Sequence, residues 1–142
     1  MNRRNLLVVV MALALLLVGC GPSSDDGASL QGTRWALVTL GGGALLPGTA
    51  PSVEFSEDQM SGSTGCNTYF SEYEVSGDEL SIGAVAVTEM WCMEPEGVMD
   101  QEQAFLDALA SVTGYRLAGE RLELLDGTGE AILTFEPRAA EE

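Results

Sequence analysis

Tyr69-Phe70-Ser71-Glu72-Tyr73-Glu74-Val75 alternates with period two: Tyr69, Ser71, Tyr73 and Val75 fall on one face, Phe70, Glu72 and Glu74 on the other. That pattern belongs to a half-buried β-strand, because successive side chains point to opposite sides of a sheet. Comparable short runs lie on both sides of it. Trp35 to Leu40 reads as a strand and leads into a surface loop at Gly41-Gly42-Gly43, where no Lys-Ser/Thr follows to make a phosphate cradle. Ser52-Val53-Glu54-Phe55 and Gln59-Met60-Ser61-Gly62 flank a hairpin turn at Ser56-Glu57-Asp58. Ser76-Gly77-Asp78 turns the central strand into Glu79-Leu80-Ser81-Ile82, and Ala84 to Glu89 supplies a further strand. The chain closes with Tyr115-Arg116-Leu117, Leu122 to Leu125, a turn at Asp126-Gly127-Thr128-Gly129 and Ala131 to Phe135, with Pro137 and the tail after it frayed.

One segment departs from this rhythm. From Val98 to Val112 the apolar residues Val98, Phe105, Leu109 and Val112 recur at helical spacing, joined by Leu106 and Ala108. Asp100, Gln101, Glu102, Gln103 and Asp107 are expected mostly on the opposite, solvent face, and the acidic first turn suits the positive end of the helix dipole. Gly114 is the expected stop. About eight short strands with one helix before the last few predict a mainly β (α+β) chain whose antiparallel sheet closes on itself, since closure removes exposed edges. A two-layer α+β sandwich fits the same string and stays open.

Ahead of this domain the sequence changes character. Arg3 and Arg4 form a basic start, Leu6 to Val18 is apolar, and Leu17-Val18-Gly19 leads into Cys20. That is the layout of a secretory signal, ending in what resembles the lipobox of bacterial lipoproteins. Thirteen apolar residues fall short of the roughly 20 that a spanning helix needs. Arg3-Arg4 also faintly resembles a twin-arginine start; an ordinary basic start is the preferred reading. The expected organisation is a signal peptide at 1–19, a lipidated Cys20 with a flexible linker to 31, a domain at 32–137 and a disordered tail at 138–142. The membrane would then be a partner through the N-terminal lipid, on the outer side of the cytoplasmic membrane or at the outer membrane. Gly21, where an Asp would hold the protein at the inner membrane, permits the latter.

Charge and absent residue types narrow the chemistry. All 22 acidic residues follow Cys20, whereas two of the six arginines precede it, so the processed chain carries about −18. Such a chain cannot grip nucleic acid through phosphates. There is no histidine and no lysine, which removes imidazole bases, histidine zinc ligands and amine nucleophiles. Only nine aromatic residues are present, and a core accounts for most of them. No enzyme, cofactor or metal site is expected. Asp126 to Glu130 lacks the alternating oxygen ligands of a calcium loop and reads as a hairpin turn.

Several of these segments together resemble the META domain, HslJ-like lipoprotein family. Thr64-Gly65-Cys66-Asn67-Thr68-Tyr69 followed by Tyr73 is similar to its Gly-Cys-Asn signature. Thr88-Glu89-Met90-Trp91-Cys92 is similar to its Thr-x-Met-Ala-Cys segment, with Trp91 where a small residue is usual. Glu102-Gln103-Ala104-Phe105-Leu106 matches its helix, and Trp35 and the Leu122 to Phe135 hairpin match its ends. The resemblance covers about Gly32 to Phe135. It implies a small, lipocalin-like barrel with one helix, carried on envelope lipoproteins and associated with heat shock and antibiotic tolerance, without an agreed activity.

With Cys20 acylated, Cys66 and Cys92 remain, and in an oxidising compartment they are expected to form a structural disulfide. Closing about 27 residues contributes roughly 3–4 kcal/mol. A redox pair is the alternative, but such pairs sit as Cys-x-x-Cys at a helix start. Asn67 is expected to serve as a turn residue that tolerates positive φ. Trp35, Tyr69, Tyr73 and Phe105 are expected in the core rather than around a ligand. The functional expectation is a monomeric, non-catalytic envelope lipoprotein that acts in stress tolerance by binding another envelope protein. The alternative is a barrel that holds a small apolar ligand.

Overall fold

The alternation at Tyr69 to Val75 becomes one wall of a closed ring of strands. The computed structural model describes residues 29–139, so the signal-like segment, Cys20, most of the linker and residues 140–142 lie outside the described residues. The strands are β1 (Arg34–Leu40), β2 (Gly43–Ala44), β3 (Ser52–Phe55), β4 (Gln59–Ser63), β5 (Thr68–Ser76), β6 (Glu79–Ile82), β7 (Ala86–Val87), β8 (Gly114–Ala118), β9 (Arg121–Leu125) and β10 (Ala131–Pro137). One helix, α1 (Val98–Ser111), stands between β7 and β8.

Every strand pairing is antiparallel. The path β1-β3-β4-β5-β6-β8-β9-β10 returns to β1, because β10 pairs with it from Trp35↔Pro137 to Leu40↔Leu133. The eight strands make a barrel-like ring, with β2 a short ribbon on β1 and β7 extending β6 along β5. Register shifts between Leu37 and Thr39 and between Ala131 and Leu133 bend the paired strands where the ring closes. The weakest seam is β6–β8, which share the single pair Glu79↔Gly114.

The inward face supplies the core. Trp35 and Leu37 of β1, Val53 and Phe55 of β3, Met60 of β4 and Tyr69 and Tyr73 of β5 meet Leu80, Leu122, Leu124, Leu133 and Phe135 from across the ring. Phe105, Leu109 and Val112 drop from the helix onto them. Phe55 meets Tyr73, and Tyr69 meets Phe105, edge to face at 5.1 and 5.4 Å. Leu30, two residues ahead of the expected domain start, is also buried. No helix among the described residues is long and apolar enough to cross a membrane.

Five local expectations need correcting. Val75 is 42% exposed although it shares the inward face of β5, because the strand's last residues run past the core. Ala84 to Glu89 forms only the two-residue β7, held by Gly83 N–H on Glu72 O and Thr88 N–H on Thr68 O. Gly114 does not stop the helix. The helix ends at Ser111 with Val112 extended, and Gly114 opens β8, where a Cβ would sit 3.1 Å from Asp78 O. Pro137 is not frayed, since it pairs with Trp35, and the next N–H, of Arg138, bonds Arg34 O at 2.9 Å. Finally, Gln101 and Glu102 are buried, not solvent-facing.

Candidate functional site

The segments of the chain richest in polar detail converge at one end of the ring, beyond Ser63 of β4 and Thr68 of β5. Gly65 takes the left-handed conformation there, with φ 104°, which only glycine adopts without strain. It lets the chain reverse so that Cys66 points to the outer loop and Asn67 into the interior. Asn67 is not a positive-φ residue, and no non-glycine residue among those described is. It is a buried hub.

The Asn67 amide is fully used. Its Nδ2 donates to both carboxylate oxygens of Glu102 at 3.0 Å and to Met90 O at 3.0 Å. Its Oδ1 accepts from Met90 N–H at 2.7 Å and from the Thr88 hydroxyl at 2.9 Å. The Thr88 hydroxyl in turn accepts from Thr68 N–H at 3.1 Å. Asn67 N–H is shared between Thr64 Oγ1 at 2.8 Å and Glu102 at 3.2 Å, while the Thr64 hydroxyl donates to the Glu102 carboxylate. Three parts of the chain thus meet at one side chain: the β4–β5 turn that carries it, the loop after β7 and the helix, with the start of β5 joined through Thr88.

Burying a carboxylate is costly unless its oxygens are hydrogen-bonded. Around Glu102 hydroxyl and amide donors meet that need, with no buried side-chain polar atom among the described residues left unpartnered. The adjacent residue, Gln101, performs the same task for the neighbouring loop, accepting from Leu46 N–H at 2.7 Å and donating to Thr49 Oγ1 at 3.0 Å. Outside the hub, Cys66 and Cys92 are joined by a disulfide with Cα atoms 5.9 Å apart. Gly65, Cys66, Asn67, Thr88, Met90 and Cys92 therefore form one clasp, with Met90 contributing its backbone and leaving its side chain exposed. Sequence reasoning had these residues but missed Glu102, which anchors them to the helix, and Gln101, which ties the helix to the loop at 46–49. A stripe at 98, 105, 109 and 112 skips one turn, and residues 101 and 102 fill that gap on the same face.

Elsewhere the polar groups serve the fold. Asp126 Oδ1 accepts from Thr128 N–H and hydroxyl at 2.8 and 2.7 Å and from Glu130 N–H at 3.1 Å, which holds its carboxyl below the ordinary value. The carboxylate is committed to its own turn. An open groove of about 830 Å³ lies at the opposite end of the ring, lined by Leu30, Glu57, Asp58, Tyr73, Val75 and Tyr115 among others. It is open to solvent and acidic at its edges, and the core residues Leu30, Tyr73 and Tyr115 form part of its lining.

The conjunction of this clasp with the ring is matched elsewhere. The sequence profile of the META domain matches residues 28–139. The chain belongs to the META domain family. Over 91 residues this META domain protein is 32% identical to heat shock protein HslJ of Escherichia coli K12, a match covering 61% of the chain and 64% of that relative, so the chain spans just under two thirds of its length. Its fold is similar to an NMR structure of a protein from Burkholderia xenovorans, with a TM-score of 0.63 and 28% identity over 78% of this chain and 85% of that one. A second NMR structure is similar at a TM-score of 0.59 and 25% identity, covering 75% of this chain and 89% of the other.

Proposed function

We propose that this protein is a non-enzymatic, lipid-anchored component of the cell envelope whose META domain supports stress tolerance by contacting another protein. The observation that carries the reading is the filled interior. Phe55, Met60, Tyr69, Phe105, Leu122 and Phe135 are each 0% exposed, and small rings filled by side chains have no room for a ligand inside. That leaves the outer surface for function and weighs against the small apolar ligand. Lack of histidine and lysine, and polar side chains committed to turns and the clasp, support a non-catalytic role. The stress assignment is supported by the name of the Escherichia coli relative. Anchoring is supported by the basic start, the apolar run and Cys20.

The test is metabolic labelling with an alkynyl palmitate, combined with survival of heat and envelope-active antibiotics. Wild-type protein should take the label and restore tolerance to a deletion strain. Cys20→Ser should do neither. An unlabelled wild type, or full rescue by Cys20→Ser, would contradict the proposal.

A further inference from the structure

The clasp holds up three large apolar side chains that have no role in the fold. Met90, Trp91 and Met93 are 58%, 78% and 80% exposed, within four consecutive residues. This exposure is not a loose loop failing to pack. Both backbone groups of Met90 are bonded to Asn67, and Cys92 is bridged to Cys66. A rigid display of this kind meets the ordering cost of binding in advance. Concentrated exposed apolar side chains on a soluble domain mark interaction sites, and Trp is among the residue types that dominate binding energy.

The rim of the loop is uniformly acidic. Glu89, Glu94, Glu96 and Asp100 are all exposed. No arginine occurs between Arg34 and Arg116, and Arg34, Arg116 and Arg121 bond elsewhere, to Glu54, Glu123 and Glu136. Such a rim repels anionic lipid headgroups and a second copy of the same loop alike. It attracts cationic side chains.

Position favours the same occupant. The described chain enters beside the far end of β5, where Ser29 and Leu30 border the groove with Tyr73 to Gly77. The Trp91 loop is fastened to Asn67 and Thr68 at the near end. Nine residues of β5 separate the two, roughly 26 Å along the strand. On the lipid-anchored reading proposed above, on which this step rests, the entry end is the one joined to the tether and the loop lies at the opposite end of the ring.

We propose that residues 89–96 form the docking site for a protein whose surface offers an apolar pocket bordered by Arg or Lys, with Trp91 as the inserted side chain. The test uses the full chain in the cells that make it, with Trp91 replaced by the photo-cross-linker p-benzoylphenylalanine and a control carrying it at Glu120, in the exposed turn at the entry end. Irradiation should join position 91, and not position 120, to a second protein, at a segment in which apolar residues are bordered by Arg or Lys. Adding Glu89→Lys and Glu94→Lys should cut adduct yield on the order of tenfold, since like charges at an interface rim repel. Adducts only to phospholipid, to a second copy or to residues 1–28, or no adduct, would overturn the proposal. Alkynyl palmitate in the same cells separates the two readings: adduct without label sinks the anchor alone, and label without adduct sinks the docking site alone.

Discussion

The side-chain amide of Asn67 lies 3.0 Å from both oxygens of the Glu102 carboxylate, joining residues 35 apart in sequence inside a buried polar hub. Removing either partner leaves buried groups of the other unpaired. Asn67→Ala and Glu102→Ala should each lower unfolding free energy by about 2–4 kcal/mol. Because the two residues share one network, the double variant should fall short of the sum by about 1–3 kcal/mol. Urea denaturation of the four proteins in the cycle measures this. Strict additivity would mean that the contact contributes nothing of its own.

The bridge between Cys66 and Cys92 constrains the same loop from outside. Its removal by Cys66→Ser with Cys92→Ser should cost roughly 2–4 kcal/mol. The ring should persist, since no core side chain is altered. Hydrogen exchange should speed up at Met90 N–H while that of Val53, deep in β3, changes far less. Equal acceleration at both sites would show the bridge supporting the whole fold rather than the clasp.

Gly62 of β4 allows two strands to approach. A Cβ built there would stand 2.0 Å from Ser52 O and 3.2 Å from the Tyr69 hydroxyl. Gly62→Ala should therefore destabilise by more than about 2 kcal/mol through forced backbone movement. Gly127→Ala meets nothing within 4 Å and has no positive φ, so it should be neutral or stabilising by up to about 1 kcal/mol. Thermal unfolding of the two variants side by side checks the contrast.

The strands were legible because their side chains alternate: Tyr69, Ser71 and Tyr73 announce a buried face whatever the partner strands are. Ring closure had only the count of strands and the absence of a long edge to suggest it, since β10 meets β1 across nearly the whole domain. At the site, the disulfide partners and the glycine were visible as residue types, but the work of Asn67 was not. Its bonds reach Met90 and Glu102, 23 and 35 residues away, beyond any local turn rule. Glu102 was hidden by its charge. A carboxylate is assigned to solvent on a helical wheel unless its position in the apolar stripe is allowed to outweigh its polarity.

Alkali should unfold the protein through its central strand. Tyr69 is buried, with its hydroxyl donating to Ser52 O at 2.8 Å, and burial pushes its phenol far above the ordinary value. Tyr73 shifts the same way, from burial and then from the negative charge of Asp58. Below about pH 10 both folded and unfolded chains keep these protons, and the contribution to stability is complete. Above it the unfolded chain releases them first, so stability falls as pH rises. Urea midpoints should fall steadily as pH rises above about 10, and less in Tyr69→Phe. A flat profile across that range would contradict the burial argument.

The proposed envelope role depends on where the chain is held. Intact-mass spectrometry of the protein extracted from its own membranes measures this directly. The account predicts a chain that starts at Cys20 and carries the added mass of fatty acyl groups on that residue. A mass that begins at Met1, or one that begins elsewhere without acyl groups, would contradict it.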